Sequence, residues 1–270
     1  MEIFKLYDFA ESVCCQKVRL VIAEKGLKFE ECPVPLDKGA QYDPLFLKIN
    51  PKGIVPVAVH GDQIILESSV INEYIEETFD GLQLMPTDPA ARARTRYWSF
   101  LVDQGIHNPH TTVVSFVIAL RYAFLAELET PEKMNAHLDS VRDPISREMQ
   151  RQGFTDGYES AAFKIAIEAF DSLLTEMNGS LDKSAWLVGD SPTLADFNLA
   201  PYIHRLDCLG LSFMWERRKG IARWYSELKQ RDSWNAAIKK PHIDKWLDLM
   251  RMGGEEAVPK VKAILDRSSI

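Results

Sequence analysis

The period of the hydrophobic pattern changes once along this chain, and the change limits what the chain can fold into. Up to Leu84-Met85-Pro86, short alternating runs take turns with helical stripes; beyond it, only helical stripes remain. In the first third, Ile3 to Tyr7 reads as a short strand. Val13 to Lys25 reads as a helix, with Val18, Val21 and Ile22 at helical spacing and Gly26 as its stop. Phe29 to Val34 is a second strand. Strand, helix and strand in that order make a βαβ unit, whose strands pair in parallel through a right-handed crossover. Lys38 to Ile49 reads as a polar loop with one short helix. Val55 to Val59 and Gln63 to Leu66 flank His60-Gly61-Asp62, a hairpin signal. Ser69 to Phe79 follows as a helix. After the change of period, Pro89 to Phe124 supplies one or two helices bent near Pro109. Glu159 to Met177, Leu194 to Leu209 and Ile221 to Gln230 supply the rest, while Thr130 to Tyr158 is polar and weakly periodic. The expected architecture is an α/β domain over residues 1–82 joined to an all-helical domain over 88–270.

Charge and composition remove several functional classes. A net charge of −7 leaves no basic face for nucleic acid or an anionic membrane. The amino terminus, MEIFKLYDFA, alternates apolar and polar residues and lacks the form of a secretory signal. No apolar stretch approaches the roughly 20 residues of a membrane helix. Thr111 to Leu125 contains Ser115 and Arg121 and reads as a buried helix. Of the four cysteines, Cys14 and Cys15 are adjacent while Cys32 and Cys208 stand alone, so neither a disulfide framework nor a zinc site is suggested. A reducing cytoplasm is the expected setting.

Three short elements carry chemistry. Ser12 sits where the first strand ends and the first helix begins. Serine there is a favoured N-cap, accepting from a backbone N–H of the first turn. Ser12 and Cys15 also hold the spacing of a C-x-x-C pair with the first thiol replaced by a hydroxyl. A disulfide relay within that pair is then impossible, whereas a hydroxyl facing a bound thiol is not. The second element is Asn50-Pro51-Lys52-Gly53-Ile54-Val55-Pro56-Val57, in which Pro56 interrupts an apolar strand and removes a ladder donor; the ordinary expectation is a trans proline at an edge. The third is Glu67-Ser68 at a helix start. Such residues cap helices, but the same N–H groups bind carboxylates, and a neighbouring glutamate suits an ammonium. Together they fit an amino-acid head group.

In order and spacing these elements resemble the glutathione transferase superfamily over nearly the whole chain. ESVCCQKVRLVIAEKGL is similar to the family's first turn and helix, NPKGIVPVAV to its cis-proline strand, and ILESSVINEYIEE to its motif for the γ-glutamyl group. WLVGDSPTLADFNLAPYIHRL resembles the capping box and core helix of its carboxy-terminal domain, with Thr193 capping and Asp196 reaching back. The resemblance implies a thioredoxin-like βαβαββα domain followed by a helical bundle, glutathione as co-substrate without a metal, and a homodimer. It places the catalytic hydroxyl of the serine-using classes on Ser12. The zeta-like pattern is echoed there, with Val13 in place of its second serine. The cysteinyl contact falls on Val55, the cis-proline on Pro56, the γ-glutamyl contacts on Glu67 and Ser68, and the glycyl-end contact on Gln41, with Lys52 close by. Glu67 would then pair with a buried ammonium. KINPKGIVPVAVHGDQIILESSVINEYIEETF and DPISREMQRQGF are similar to the bacterial glutathione-dependent β-aryl etherases. TLADFNLAPYIHRLDCLG is similar to the ganglioside-induced differentiation-associated proteins, which carry a carboxy-terminal membrane anchor; the polar ending LDRSSI gives no expectation of one.

A serine is sufficient for the chemistry so implied. Free thiols have a pKa near 8.5, and lowering it by about two units requires about 2.7 kcal/mol of preference for thiolate. A hydrogen bond to a charged acceptor contributes about 1.5–3 kcal/mol, and a helix N-terminus about 0.3–1 kcal/mol more. The thiolate needs an electrophile, for which Phe9, Val13, His107, His110 and Phe116 are the candidate lining. For His107 and His110 the ordinary reading, solvated or capping residues near the Pro109 bend, comes first; an i, i+3 pair can bind metal, but no third ligand is visible. Two other readings stay open: a carrier of hydrophobic ligands with little turnover, and a thiol–disulfide enzyme using Cys14 or Cys15, against which Ser12 at the first position argues.

Overall fold

The computed structural model describes residues 2–141 and 144–268. The chain divides into two compact units. The first comprises Met1–Ser99, Ser184–Pro201 and Trp224–Ile243; the second comprises Phe100–Lys183, Tyr202–Arg223 and Asp244–Ile270.

In the first unit, β1 (Phe4–Asp8), β2 (Phe29–Pro33), β3 (Val57–His60) and β4 (Gln63–Leu66) form one sheet in the order β2-β1-β3-β4. β1 and β2 are parallel, in register from Phe4 opposite Phe29, as a strand–helix–strand crossover requires. β3 runs antiparallel to β1 and forms a hairpin with β4 about Gly61. The connecting helix α1 (Val13–Lys25) begins and ends where its cap signals stand: Ser12 at the N-cap and Gly26, at φ 62°, in the left-handed conformation that glycine adopts at low cost. Two short 3₁₀ turns, Leu36–Lys38 and Ala40–Tyr42, lead into α2 (Pro44–Ile49), and α3 (Ser68–Thr78) follows β4. The core beneath the sheet joins Cys15, Val34, Phe46, Val55 and Val57, with Phe9 packed against it.

Helix α4 (Pro89–Leu101) gives way to wide, π-type turns over Val102–Thr111. These break at Asn108 (φ −127°, ψ 121°), beside a cis Asn108–Pro109 bond. The bend anticipated near Pro109 is therefore a break in helical backbone. It removes the i, i+3 face that would have paired His107 with His110. Short α5 (Thr112–Ser115), a second π-type stretch Phe116–Leu120 and α6 (Arg121–Glu127) follow. The polar segment after Thr130 holds two helices that its weak periodicity conceals, α7 (Pro131–Ser140) and α8 (Pro144–Thr155). Thr130 caps α7 and Pro131 occupies its first position, a strong start signal on a mostly exposed helix. Next come α9 (Ala161–Leu181), capped by Ser160, α10 (Leu194–Cys208), α11 (Lys219–Lys229), α12 (Asp232–Trp234) with the π-type turn Asn235–Lys239, and α13 (Asp244–Ser268). No helix among the described residues is long and apolar enough to cross a membrane.

The start of α10 is built on one fully buried carboxylate. Asp196 accepts from Thr193 N (2.8 Å), Thr193 Oγ1 (3.1 Å), Leu187 N (3.0 Å) and Trp224 Nε1 (2.8 Å). Burial pushes its carboxyl pKa up, and the four donors pull it back. Asp196 reaches back as a capping box requires, while the Thr193 hydroxyl donates to that carboxylate.

Candidate active site

The turn between β1 and α1 presents Ser12, half-buried, with φ −72° and ψ 120°. Its backbone N–H donates to the Phe9 carbonyl (3.0 Å), and its Oγ accepts from Cys15 N at 3.3 Å. The capping role is thus real, and it is compatible with a chemical one. A hydroxyl has one proton and two lone pairs. The cap uses a lone pair and leaves the O–H to donate to an anion. The sulfur-bearing neighbours are less suited to reaction. Cys15 is fully buried, and burial, followed by the nearby Asp8 carboxylate, pushes its thiol well above the ordinary range. Cys14 is buried as well, and none of the four cysteines is in a disulfide.

A second group gathers around the loop before β3. Asn50 is buried and folds this loop on itself: its Nδ2 donates to the Ile54 carbonyl (2.8 Å), and its Oδ1 accepts from Lys52 N (3.1 Å). Gly53, at φ 64°, lies so close to the Gln41 carbonyl and the Tyr42 ring that a Cβ would stand 3.1–3.2 Å from them. This close approach brings Gln41 against the loop, with its Oε1 buried and without a hydrogen-bond partner. The Val55–Pro56 bond is cis. The pairing of β3 with β4 begins only at Val57 opposite Leu66, so Val55 stands outside that ladder, with its side chain in the core.

Glu67 immediately precedes α3 and is the one described non-glycine residue at positive φ (70°, ψ 119°), a sparsely populated conformation. It makes no side-chain cap. Its carboxylate turns outward and accepts from Lys52 Nζ at 2.8 Å, the side chains being 55% and 65% exposed respectively. The carboxylate expected to serve an ammonium is thus exposed and ion-paired to Lys52. Ser68, the first residue of α3, is buried. The first N–H groups of a helix lack intrahelical partners and favour an anion. Sequence reasoning passed over Asn50 and Gly53, which shape the loop, and Lys17, a buried lysine of α1 whose Nζ donates to Ser69 Oγ at 2.8 Å. The glycine inside N-P-K-G was the only local signal of these.

Ser12, Gln41, Lys52, Val55, Pro56, Glu67 and Ser68 all belong to the first unit, with Phe9 half-buried and Val13 buried beside Ser12. His107, His110 and Phe116 belong to the second. His107 meets the Tyr202 ring edge-on at 6.0 Å, and partial burial lowers the pKa of His110. Phe116 is buried, edge-on to Phe154 at 5.0 Å and near Phe124.

Residues 6–83 match the family model of the glutathione S-transferase N-terminal domain, and residues 116–227 match that of the C-terminal domain. Glutathione S-transferase Z1 of Arabidopsis thaliana is 35% identical over 205 residues, 75% of this chain and 77% of the relative. The chain belongs to the glutathione S-transferase family. This family member is also 28% identical over 260 residues to Protein LigF of Sphingobium sp. SYK-6, covering 93% of the chain and 98% of the relative. The crystal structure of beta-etherase LigF superimposes with a TM-score of 0.74 at 26% identity, covering 88% of this transferase and 99% of that chain. The human ganglioside-induced differentiation-associated protein 1-like 1 is 29% identical over 276 residues, 88% of this chain and 74% of the relative.

Proposed function

We propose that the chain is a glutathione transferase that holds glutathione as thiolate at Ser12 and directs it at a hydrophobic electrophile. Residues 1–82 bind glutathione, and residues 88–270 supply the electrophile site. The observation that carries this reading is the arrangement in the first unit. Gln41 with its unpartnered oxygen, the Val55 backbone outside the β3–β4 ladder, the Lys52–Glu67 pair and the N-terminus of α3 match in kind the groups of a γ-glutamyl tripeptide. Backbone at Val55 pairs the cysteinyl residue, the start of α3 takes the γ-glutamyl carboxylate, Lys52 takes the glycyl carboxylate, and Gln41 Oε1 accepts from the glycyl N–H. Val55, Cys15 and Phe9 share one core cluster, which ties this arrangement to the Ser12 turn. Within the first unit Phe9 and Val13 stand beside Ser12, and within the second His107, His110 and Phe116 are the candidates for contact with the electrophile. The likeness to LigF makes a β-aryl ether the substrate of choice, cleaved by thiolate displacement of the aryloxide at the ether carbon. The buried Cys15 thiol disfavours thiol–disulfide exchange, and four cysteines outside any disulfide suit a reducing cytoplasm. The test is a glutathione-conjugation panel that includes a model β-aryl ether, with Ser12→Ala alongside. Release of the free phenol by wild type alone supports the reading; glutathione binding without turnover of any electrophile supports a carrier instead.

Because Glu67 is exposed and paired with Lys52, its contribution to glutathione affinity is modest. Calorimetric titration is expected to give a micromolar to millimolar Kd for wild type. Glu67→Ala is expected to cost less than about 1 kcal/mol, and the difference is expected to fall further with added salt. A salt-independent loss of tenfold or more would mean that the Glu67 carboxylate turns inward onto the ammonium, away from Lys52. We also propose a two-fold homodimer. Sedimentation at micromolar concentration should report about twice the 30.7 kDa chain mass, and a monomer would refute it.

A further inference from the structure

Arg19 projects from the second turn of α1 back to the turn that precedes the helix, and only 4% of it reaches solvent. Its guanidinium is engaged on every side. Nη1 donates to both carboxylate oxygens of Asp8 (2.7 and 2.6 Å) and reaches the Phe9 carbonyl at 3.5 Å. Nη2 donates to the Ala10 carbonyl (2.6 Å), and Nε to the Ala237 carbonyl (2.8 Å). Asp8 is buried too. Apart from Ala237, every acceptor lies in the stretch that ends at Ser12. Within that stretch Ser12 N closes the turn onto Phe9 O, and Gln16 Nε2 adds a weaker donor to Ala10 O at 3.4 Å.

A buried ion pair is poor evidence for stability, since its desolvation cost rivals its attraction. What a planar, five-donor fork does well is fix the relative positions of several acceptors, which an ammonium on a flexible stem does not. Here the acceptors are the backbone and the strand-end carboxylate from which the serine is presented. We propose that Arg19 is a positioning residue for Ser12: by tying Asp8, Phe9 and Ala10 to one fork braced on Ala237, it sets the direction in which the Ser12 hydroxyl donates to the sulfur of bound glutathione. The inference rests on the reading of Ser12 as the thiolate donor. Other ionisable groups flank the turn. Cys15 lies on α1, and Glu11 Oε1 accepts from His242 Nδ1 (3.0 Å) and Ile243 N (2.9 Å). The test is therefore read on the bound sulfur itself.

The thiolate absorbance of bound glutathione is titrated against pH in wild type, Ser12→Ala, Arg19→Lys, the double variant and Arg231→Lys. Arg231 is the control, because it forms a comparable forked pair with Glu24 on the far end of the same helix. Arg19→Lys keeps the charge and loses the fork. It should raise the midpoint by about one unit, and cut kcat/KM about tenfold below the wild-type midpoint and about threefold at pH 7. Its KM for glutathione should stay within about threefold of wild type. Added to Ser12→Ala it should shift the midpoint no further, because the hydroxyl it positions is gone. Arg231→Lys should lower the melting temperature without moving the titration. If Arg19→Lys titrates like wild type while Ser12→Ala is shifted, the inference is overturned and the Ser12 reading stands. If neither is shifted, the Ser12 reading itself is wrong, and the inference with it. Should Arg19→Lys fail to fold, Asp8→Asn, which keeps an acceptor on the fork, is judged by the same criteria.

Discussion

Ser12→Ala is expected to bind glutathione nearly as well as wild type and to turn it over at neutral pH about ten- to a hundredfold more slowly in kcat/KM. The magnitude follows from losing one hydrogen bond to a charged acceptor, about 1.5–3 kcal/mol. Affinity is spared because the other proposed contacts, at Gln41, Val55, Glu67 and Ser68, lie on other elements. The sign of the pH dependence is fixed by the thiol. Ser12 holds the bound thiol pKa below that of the free thiol, so the fold defect is greatest at and below the bound value and shrinks between the two. It fades as pH rises past the free value near 8.5, where thiolate forms unaided. Removing the hydroxyl also removes the bond to Cys15 N, for about 1 kcal/mol of stability. Activity per folded molecule, measured against pH, separates that cap effect from the chemical one.

Asp196→Ala should be the most destabilising of the substitutions considered, at about 3–5 kcal/mol. The carboxylate is fully buried and satisfies two backbone N–H groups, a hydroxyl and the Trp224 indole. Alanine would leave those donors buried without an acceptor while solvent stays excluded. Each orphaned donor costs about 1–3 kcal/mol, discounted here because the start of α10 can relax. For a chain of this size the melting temperature should drop by about 5–9 °C. Asp196→Asn, which keeps one acceptor oxygen, should fall between alanine and wild type. A loss below 1 kcal/mol in denaturant titration of the alanine variant would mean that water replaces the carboxylate.

What could be read ahead of the structure follows the range of the forces involved. Helix α1 was legible from Val13 to Lys25 because its stops are local: a serine that caps and a glycine that takes positive φ. The parallel β1–β2 pair followed from the order of elements alone. Helices α7 and α8 were missed because their exposed faces carry little periodicity, although Thr130-Pro131 marked a start. Helix α13 was missed for a different reason. Gly253-Gly254 and Pro259 look like breakers, yet the glycines let the helix pass close to the backbone of Ile118 and Leu209. Within the candidate site, Ser12 and the Val55-Pro56 and Glu67-Ser68 pairs were legible as motifs. The outward turn of Glu67 onto Lys52 was not, because an ion pair across two loops leaves no mark on either one. Arg19 was hidden in the same way. Its acceptors lie nine to eleven residues upstream and, at Ala237, 218 residues downstream.

The claim that glutathione is held as thiolate has a direct readout in the protons released on binding. Calorimetric titration of glutathione at pH 7, repeated in buffers of different ionisation enthalpy, counts them. Free glutathione is almost wholly a thiol at that pH, so binding with a pKa lowered by about two units should release about 0.7 proton per molecule bound. Ser12→Ala should bind with similar affinity and release distinctly less. Binding without proton release in wild type, or no binding at all, would contradict the account.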